Sequence, residues 1–248
     1  MTNKKLALVT GSARGLGLAM VQALIHDGFE VVGWDLKNES KFQHPLFHLE
    51  SVNVTDEKSV ESNAQKLKEK WGVPSVLVNN AGITRDCMLH KMSVEDFEAT
   101  WKVNVLGTFL PTKIVGGFMR DEQSQLLKQS QPLPFKRIIM ISSIAGVYGN
   151  VGQTNYAASK AAVVAFMKSV SKEWGKFQIS CVAIAPGLMK TEMTETIPQE
   201  VLNQFLSRTP LGRMGTAEEL GALVAYLSQA NSGFLHSELI SFGGGLLL

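Results

Sequence analysis

The sequence predicts an α/β fold in which helices flank one parallel sheet. With 248 residues and a hydrophobic content of 45%, the chain is long enough to build one sizeable core. Short apolar runs alternate with longer helix-compatible stretches, which is typical of repeated βαβ units whose strands are buried on both faces. These runs are Leu6–Val9, Val31–Trp34, Val76–Val78, Ile138–Ile141 and Ile179–Ala185. We therefore expect a single doubly wound domain over residues 1–248.

The stretches between these runs predict the helices. They are Ala19–His26, the charged segment Glu57–Lys70, the long or broken segment Ser93–Met119, and Ala157–Trp174. Two starts carry a capping signal, because a Ser or Thr is followed three residues later by an acidic residue that complements the first turn. These signals are Ser93 with Asp96 and Thr216 with Glu219.

One stretch departs from this rhythm. Residues 121–134 are polar and rich in glutamine, and they end in Pro132-Leu133-Pro134. Proline and polar clusters between periodic segments are typical of loops. We expect residues 121–134 to form a surface insertion between a helix and the strand at Ile138.

Composition narrows the class of protein. The 24 basic and 22 acidic residues leave a net charge of +2, so no strong field for nucleic acid or an anionic membrane is expected. Cys87 and Cys181 lie far apart, without a Cys/His cluster of metal-ligand spacing. No apolar run reaches the length of a secretory or membrane-spanning segment. The expectation is a soluble, cytoplasmic chain without a metal site.

A glycine-rich turn, Thr10–Gly17, follows the first apolar run and opens the first helix. Its glycines allow a tight turn and a close approach of phosphate to the backbone, although an ordinary strand-to-helix turn also uses glycine. Asp35 ends the second expected strand, where a carboxylate can bind the ribose hydroxyls of a dinucleotide. Its charge favours NAD(H), while Arg14 and Lys37 leave NADP(H) open.

Tyr156 and Lys160 are the candidate acid–base pair. Their i,i+4 spacing on an expected helix places both side chains on one face. The pKa of tyrosine is ordinarily about 10, and a nearby ammonium group lowers it towards neutral pH. One such pair can also arise by chance, so its weight depends on its neighbours.

Together these residues resemble the short-chain dehydrogenase/reductase family over nearly the whole chain, which implies a Rossmann-type fold. Thr10–Gly17 is similar to the family's cofactor turn, Asn79–Gly82 to its segment after the fourth strand, and Pro186-Gly187 with Thr191 to its nicotinamide segment. The resemblance implies the catalytic set Asn104, Ser143, Tyr156 and Lys160. It implies a cofactor site of Gly11, Ser12, Arg14, Gly15, Leu16, Gly17, Asp35, Asn53, Val54, Asn80, Ala81, Gly82, Pro186, Gly187 and Thr191, with Tyr156 and Lys160.

The resemblance also implies roles. Tyr156 exchanges a proton with the substrate oxygen, and Ser143 orients that oxygen. Lys160 binds the nicotinamide ribose, and Asn104 holds water in a proton relay. Asn53 stands where the family usually has Asp beside the adenine.

Within the family, residues 80–86 and 149–156 look like those of β-ketoacyl-ACP and acetoacetyl-CoA reductases. A 3-oxoacyl or 3-hydroxyacyl thioester, in some cases on acyl carrier protein, is the leading substrate. This branch usually uses NADPH, which conflicts with Asp35. The alternatives are a dehydrogenase of a sugar, polyol or steroid alcohol, and a nicotinamide-binding regulator or scaffold without turnover, against which the intact catalytic set argues.

Further expectations concern surfaces. Residues 188–211 are expected to form a substrate lid, although core packing is the commoner meaning of its apolar residues. Candidate substrate contacts are Ser143, Tyr148, Gln153, Leu188 and Met193. Candidate docking residues for acyl carrier protein are Lys136, Arg137 and Lys172, each of which could be a solvated surface charge instead. The family is commonly tetrameric, so we expect a homotetramer, with the apolar tail 246–248 buried in a neighbour or within the chain.

Overall fold

A seven-stranded parallel sheet forms the centre of the described part of the chain. The computed structural model describes residues 5–190 and 199–246 and, of Val201, only the backbone. The spatial order is β3-β2-β1-β4-β5-β6-β7. The strands are β1 Leu6–Thr10, β2 Glu30–Asp35, β3 Phe47–Ser51, β4 Val76–Asn79, β5 Lys136–Ile141, β6 Ile179–Pro186 and β7 Glu238–Phe242. The order reverses between β1 and β4, so a crevice opens outside their carboxyl ends, where ligands bind in sheets of this kind.

The five strands predicted from apolar runs are confirmed, and the two edge strands of the sheet, β3 and β7, are additional to them. The central strands β1, β4, β5 and β6 are buried at every position, which accounts for their continuous apolar runs. The missed strand β3 has the sequence Phe-His-Leu-Glu-Ser and pairs only with β2. Because an edge strand is only half covered, its sequence lacks the apolar run that indicates the others.

Helices pack on both faces of the sheet. They are α1 Gly15–His26, α2 Glu57–Lys70, α3 Val94–Trp101, α4 Gly107–Pro111, α5 Gly117–Lys128, α6 Ala145–Tyr148, α7 Thr154–Trp174, α8 Gln199–Ser207 and α9 Ala217–Leu227. The bounds of α2 are those predicted, whereas α1 begins at Gly15 and α7 at Thr154, earlier than expected. Both predicted caps are present, since the Ser93 side chain accepts from Asp96 N and Thr216 forms a capping box with Glu219.

The expected insertion at residues 121–134 is largely wrong. Helices α3, α4 and α5 join through two π-helical turns, Lys102–Leu106 and Thr112–Gly116, into one continuous helical segment that ends only at Lys128. The polar residues of this stretch are mostly the solvent side of α5, while Gln123 is buried and donates to Pro134 O and Phe177 O at 2.8 and 3.0 Å. Only the residues after Lys128 form the connection to β5.

Two apolar clusters, one on each face of the sheet, make up the core. One joins the sheet to α2, the long helical segment and α7. The other joins it to α1 and α9. Gly221 lets these last two helices meet, because a Cβ there would lie 2.7 Å from Ala19 O. The crevice at the strand ends therefore lies between the helices that pack on one face of the sheet and those that pack on the other.

Two of the three docking residues expected for acyl carrier protein are buried, so that expectation is wrong for them. Arg137 is completely buried in β5, where its guanidinium donates to Leu227 O, Ser232 O and Leu235 O. Lys136 is 4% exposed and its Nζ lies 2.5 Å from Glu122 Oε2. The burial of these two residues cannot be predicted from the sequence, because charged side chains are ordinarily excluded from a buried strand. Only Lys172 is exposed.

The end of the described chain packs within the same molecule. Leu246 is buried with Ile144 and Ala185, and Phe205 packs against them. Ser237 has a φ of 64°, a backbone region that glycine occupies far more readily. Of the residues described, no helix combines the length and the apolar character that a membrane span requires.

Candidate active site

The four predicted catalytic residues converge on the crevice side of the sheet. Ser143 follows β5, Tyr156 and Lys160 lie in the first turns of α7, and Asn104 lies in the first π-helical turn. Gly146 in α6 allows this arrangement, since a Cβ there would lie 2.7 Å from Lys160 C and 2.8 Å from Ala161 N. The sheet edge, α6 and α7 thus form a single rigid support for the site.

Tyr156 is partly exposed at the crevice, while its phenol is buried and lies near Ser143. Burial of the phenol raises the pKa of Tyr156, the Ser143 hydroxyl opposes this by stabilising the charged form, and the charge of Asp86 adds to the increase. The phenol is therefore protonated at neutral pH. This is the form that donates a proton to a substrate oxygen.

Lys160 is 4% exposed, and its Nζ donates to Ile141 O at 2.9 Å. Burial lowers the pKa of Lys160 to about 8, because desolvation disfavours the ammonium form. Nζ lies 5.7 Å from the centroid of the Tyr156 ring. The pKa of Tyr156 is raised rather than lowered as predicted, because desolvation of the phenol is the largest influence on it.

Asn104 is buried in a π-helical turn, a feature often found at functional sites. Its Oδ1 accepts from Ile83 N at 2.8 Å, and its Nδ2 donates to Ile83 O at 3.1 Å and to Ser159 Oγ at 2.9 Å. The side chain therefore binds the loop after β4 to the catalytic helix. The backbone carbonyl oxygen of Asn104 accepts a hydrogen bond from Thr108 Oγ1 at 2.8 Å.

The glycine-rich turn lies at the point where the strand order reverses. Gly11 has a φ of 64°, a region that glycine adopts without strain. A Cβ on Gly17 would lie 1.9 Å from Gly11 O, so the first turn of α1 can pack against Gly11 only if residue 17 has no side chain. Ser12 is buried and its Oγ has no hydrogen-bond partner among the described residues. Arg14 and Gly15 are exposed, and Leu16 is half-buried beside them.

Asp35 is fixed against this turn. Its Oδ2 accepts from Ala13 N at 3.0 Å, and its Oδ1 lies 3.5 Å from Lys37 N. Ser40 Oγ donates to Ala13 O at 3.0 Å. The carboxylate is thereby held at the carboxyl end of β2, beside the turn, as the sequence predicts.

The segment after β4 is bound to the turn by Asn80 and Thr10. Asn80 Nδ2 donates to Thr10 O and Gly11 O at 3.1 and 2.9 Å, while Thr10 Oγ1 accepts from the amides of Asn80 and Ala81. Asn80 thus stabilises the turn through its side chain. Gly82 is exposed. It lies next to the catalytic groups, since a Cβ there would be 3.2 Å from both Asn104 Oδ1 and Lys160 Nζ.

Asn53 and Val54 follow β3 at the same edge. Asn53 is exposed, and its Oδ1 accepts from Thr55 N and Thr55 Oγ1 at 3.0 and 2.8 Å. Val54 is buried, and a Cβ on Gly107 would lie 2.9 Å from its Cγ2. Asn53 therefore presents its side chain at the rim, while Val54 packs against the long helical segment.

The last cofactor and substrate candidates lie around the end of β6. Pro186 O accepts from Ile144 N, and Gly187 N donates to Phe242 O, each at 3.0 Å. Leu188 is half-buried and Tyr148 is 46% exposed. Gln153 is bound within the chain, as its Nε2 donates to Asp86 Oδ2 at 2.8 Å. Thr191, Met193 and the rest of residues 191–198, a third of the expected lid, lie outside the described residues.

Two residues of this site were not singled out from the sequence. Asn155 is buried beside Tyr156 and accepts from Tyr156 N at 2.7 Å. Asp86 faces Tyr156 from the loop after β4. Buried asparagines next to a catalytic residue have no periodic signature, so only the immediate neighbourhood of Tyr156 could have drawn attention to Asn155.

The residues present fit a nicotinamide dinucleotide. The turn offers a side-chain-free cradle at Gly11 and Gly17, an unpartnered buried hydroxyl at Ser12 and a carboxylate at Asp35. A parallel sheet with such a turn at its switch point, next to a Ser–Tyr–Lys group, defines a dinucleotide-dependent oxidoreductase.

Comparison with known proteins supports this class of protein. The model of the short chain dehydrogenase family matches residues 5–202, and the chain belongs to that family. It is 36% identical over 253 residues to the 3-oxoacyl-[acyl-carrier-protein] reductase FabG of Thermotoga maritima, with 98% of each chain covered. It is 35% identical over 249 residues to the enzyme of that name from Haemophilus influenzae and 34% over 250 residues to that from Escherichia coli, again with 98% of each covered. The chain is a nicotinamide-dependent oxidoreductase similar to these reductases.

Proposed function

We propose that the chain interconverts a 3-oxoacyl thioester and the corresponding 3-hydroxyacyl thioester, and that it prefers NAD(H). The observation that carries the reaction type is the convergence of Ser143, after β5, with Tyr156 in the first turn of α7 and Lys160 buried one turn further along. The substrate class is supported by the names of the relatives, all 3-oxoacyl-[acyl-carrier-protein] reductases. Of the three candidate docking residues for acyl carrier protein, we propose Lys172, because it is exposed whereas Lys136 and Arg137 are buried.

The nicotinamide, when bound, supplies or accepts the hydride. In reduction, Tyr156 donates its phenolic proton to the substrate oxygen, which Ser143 orients by a hydrogen bond. Lys160, with a pKa of about 8, exchanges a proton near neutral pH and binds the cofactor ribose. Asn104 holds the loop at Ile83 and, with it, the cofactor-binding segment Asn80–Gly82.

Asp35 supports the cofactor preference. Its carboxylate is fixed beside the turn by Ala13 N, so it can accept hydrogen bonds from the two ribose hydroxyls and would repel a phosphate on the 2′ oxygen. Residues proposed to surround the cofactor further are Arg14, Gly15, Leu16, Asn53, Val54, Pro186, Gly187 and Thr191. We also propose a cytoplasmic homotetramer, for which light scattering provides the test.

The test follows nicotinamide absorbance with NADH and with NADPH, against acetoacetyl-CoA and a panel of ketones. We expect turnover of acetoacetyl-CoA with NADH, and a loss of at least about 100-fold in Tyr156→Phe from removal of the proton donor. Tyr226→Phe, which alters an exposed tyrosine of α9, is the matched control and should leave kcat unchanged. Asp35→Ser should shift the preference towards NADPH.

Two results would overturn this proposal. Turnover of other ketones without acetoacetyl-CoA would refute the thioester substrate. A strong preference of the wild type for NADPH would refute the role of Asp35.

A further inference from the structure

Four residues of the loop after β4 are each held by a different residue of the active site. Ile83 is bound by Asn104, and Arg85 O accepts from Asn155 Nδ2 at 2.9 Å. Asp86 is bound by Gln153 at 2.8 Å, and Cys87 N donates to Gly152 O at 2.8 Å. Two of these contacts reach the connection that leads into α7, at Gly152 and Gln153, and a third reaches Asn155 in the first turn of α7. The loop and the proton donor are therefore fixed to each other.

Asn155 is almost completely buried, with 1% of its surface exposed. Beyond Arg85 O, its Nδ2 lies 3.1 Å from Thr100 Oγ1 and 3.4 Å from Asp96 O. Thr100 Oγ1 itself donates to Asp96 O at 2.8 Å. The side-chain amide therefore joins three elements: the loop after β4, α3 and the first turn of α7.

The side-chain oxygen of Asn155 binds the backbone of Tyr156 itself. The first four amide groups of a helix lack partners within it, and the side chain of the residue before the helix usually binds one of them. In α7 that residue is Gln153, whose side chain makes no such bond. Asn155 Oδ1 instead accepts from Tyr156 N at 2.7 Å. The backbone of the proton donor is thus held by a side chain that is itself anchored outside the helix.

We propose that Asn155 is a positioning residue for the reaction, which fixes the backbone of Tyr156 relative to the cofactor-binding segment and to α3. The proposal rests on the proposed function of Tyr156 as proton donor. Since a displacement of about 1 Å can lower a rate by about 100-fold, loss of Asn155 should act on kcat rather than on cofactor binding. A merely structural asparagine would change stability alone.

The experiment compares Asn155→Ala with Gln123→Ala. Both remove a buried amide that donates to two backbone carbonyls, and Gln123 lies on α5 with partners at Pro134 and Phe177. Both variants should lower the thermal midpoint by similar amounts. We expect kcat with acetoacetyl-CoA to fall about 10- to 100-fold in Asn155→Ala only, while the dissociation constant of NADH, measured by fluorescence titration, stays within about twofold.

A second readout does not depend on turnover. The chain has three tyrosines, so tyrosine labelled with 13C at Cζ yields three NMR signals, and Tyr156→Phe assigns one of them. The signal of Tyr156 should move in Asn155→Ala and stay in place in Gln123→Ala. If the wild type lacks turnover, the proposed function fails and this spectrum alone decides the role of Asn155.

A third variant covers the case in which Asn155→Ala does not fold. Thr100→Val removes one partner of Asn155 while nearly keeping the shape of the side chain, and it should produce a smaller effect of the same kind. Equal kcat in Asn155→Ala and Gln123→Ala, or an unmoved Tyr156 signal in the variant that folds, overturns the proposal.

Discussion

Lys160→Met should stabilise the folded protein at neutral pH while abolishing turnover. Lys160 is buried without a carboxylate partner among the described residues, and its pKa falls from the usual 10.5 to about 8. At 1.36 kcal/mol per pKa unit, charging this group in the folded state costs about 3 kcal/mol. Methionine has a similar length and no charge, so the variant avoids this cost.

One favourable contact is lost in return. The bond from Nζ to Ile141 O at 2.9 Å is worth about 1 kcal/mol and is also available to a neutral amine. The variant should therefore be more stable than the wild type by about 2 kcal/mol at pH 7, or about 4–8 °C in Tm for a chain of this size. Function at this position is thus expected to oppose stability.

The pH dependence has a definite sign. Because the folded pKa lies below the unfolded one, the unfolded wild type binds an extra proton between pH 8 and 10.5, and wild-type stability rises with pH across this window relative to the variant. The advantage of the variant should vanish near pH 10, and above pH 10.5 the wild type should be more stable by up to about 1 kcal/mol. Thermal unfolding of both proteins, followed by circular dichroism at pH 7 and pH 10, measures this difference.

Lys136→Met is the matched control. Lys136 is equally buried but bonds to Glu122 and to Pro74 O, so its removal should destabilise the protein by about 1 kcal/mol. Destabilisation by Lys160→Met at pH 7, or a difference from the wild type that does not vary with pH, would refute the reasoning.

Three further predictions concern other positions. Arg137→Met leaves several buried carbonyl oxygens without a donor and should lower stability by at least about 3 kcal/mol, seen as a fall in Tm of about 6 °C or more. Asp86→Asn removes a negative charge that raises the pKa of Tyr156, so the pH profile of alcohol oxidation should rise at lower pH than in the wild type. Gly146→Ala places a Cβ 2.7 Å from Lys160 C, which should cost about 1–3 kcal/mol and reduce kcat.

Each of these predictions has a contrary outcome and a control. Arg120→Met alters an exposed ion pair with Asp121 and should leave Tm nearly unchanged, so equal values for Arg120→Met and Arg137→Met would contradict the first prediction. Asp121→Asn on α5 is the control for Asp86→Asn, and an unshifted profile in Asp86→Asn would exclude its electrostatic effect. Wild-type Tm and kcat in Gly146→Ala would show that α6 can move away from α7.

Much of the fold was predictable because its signals are local. The central strands are buried on both faces, so their apolar runs are unbroken, and α2 begins and ends where its charged residues indicate. The edge strand β3 and the continuation of the helix to Lys128 escaped prediction. A half-covered strand and a polar helix ending before prolines both look like loops when only neighbouring residues are considered.

At the site, the sequence by itself determined which groups are available: Tyr156 and Lys160 one helical turn apart, Ser143 after a buried strand and Asp35 at the end of another. Spacing along the chain is enough for this, because helices and strands project side chains at regular intervals. Only the tertiary structure decided how these groups behave. Burial sets the pKa of Tyr156 and of Lys160 and hides Lys136 and Arg137, and contacts distant in sequence make Asn155 the anchor of the proton donor. Desolvation and hydrogen bonding depend on which segments meet, which no local pattern records.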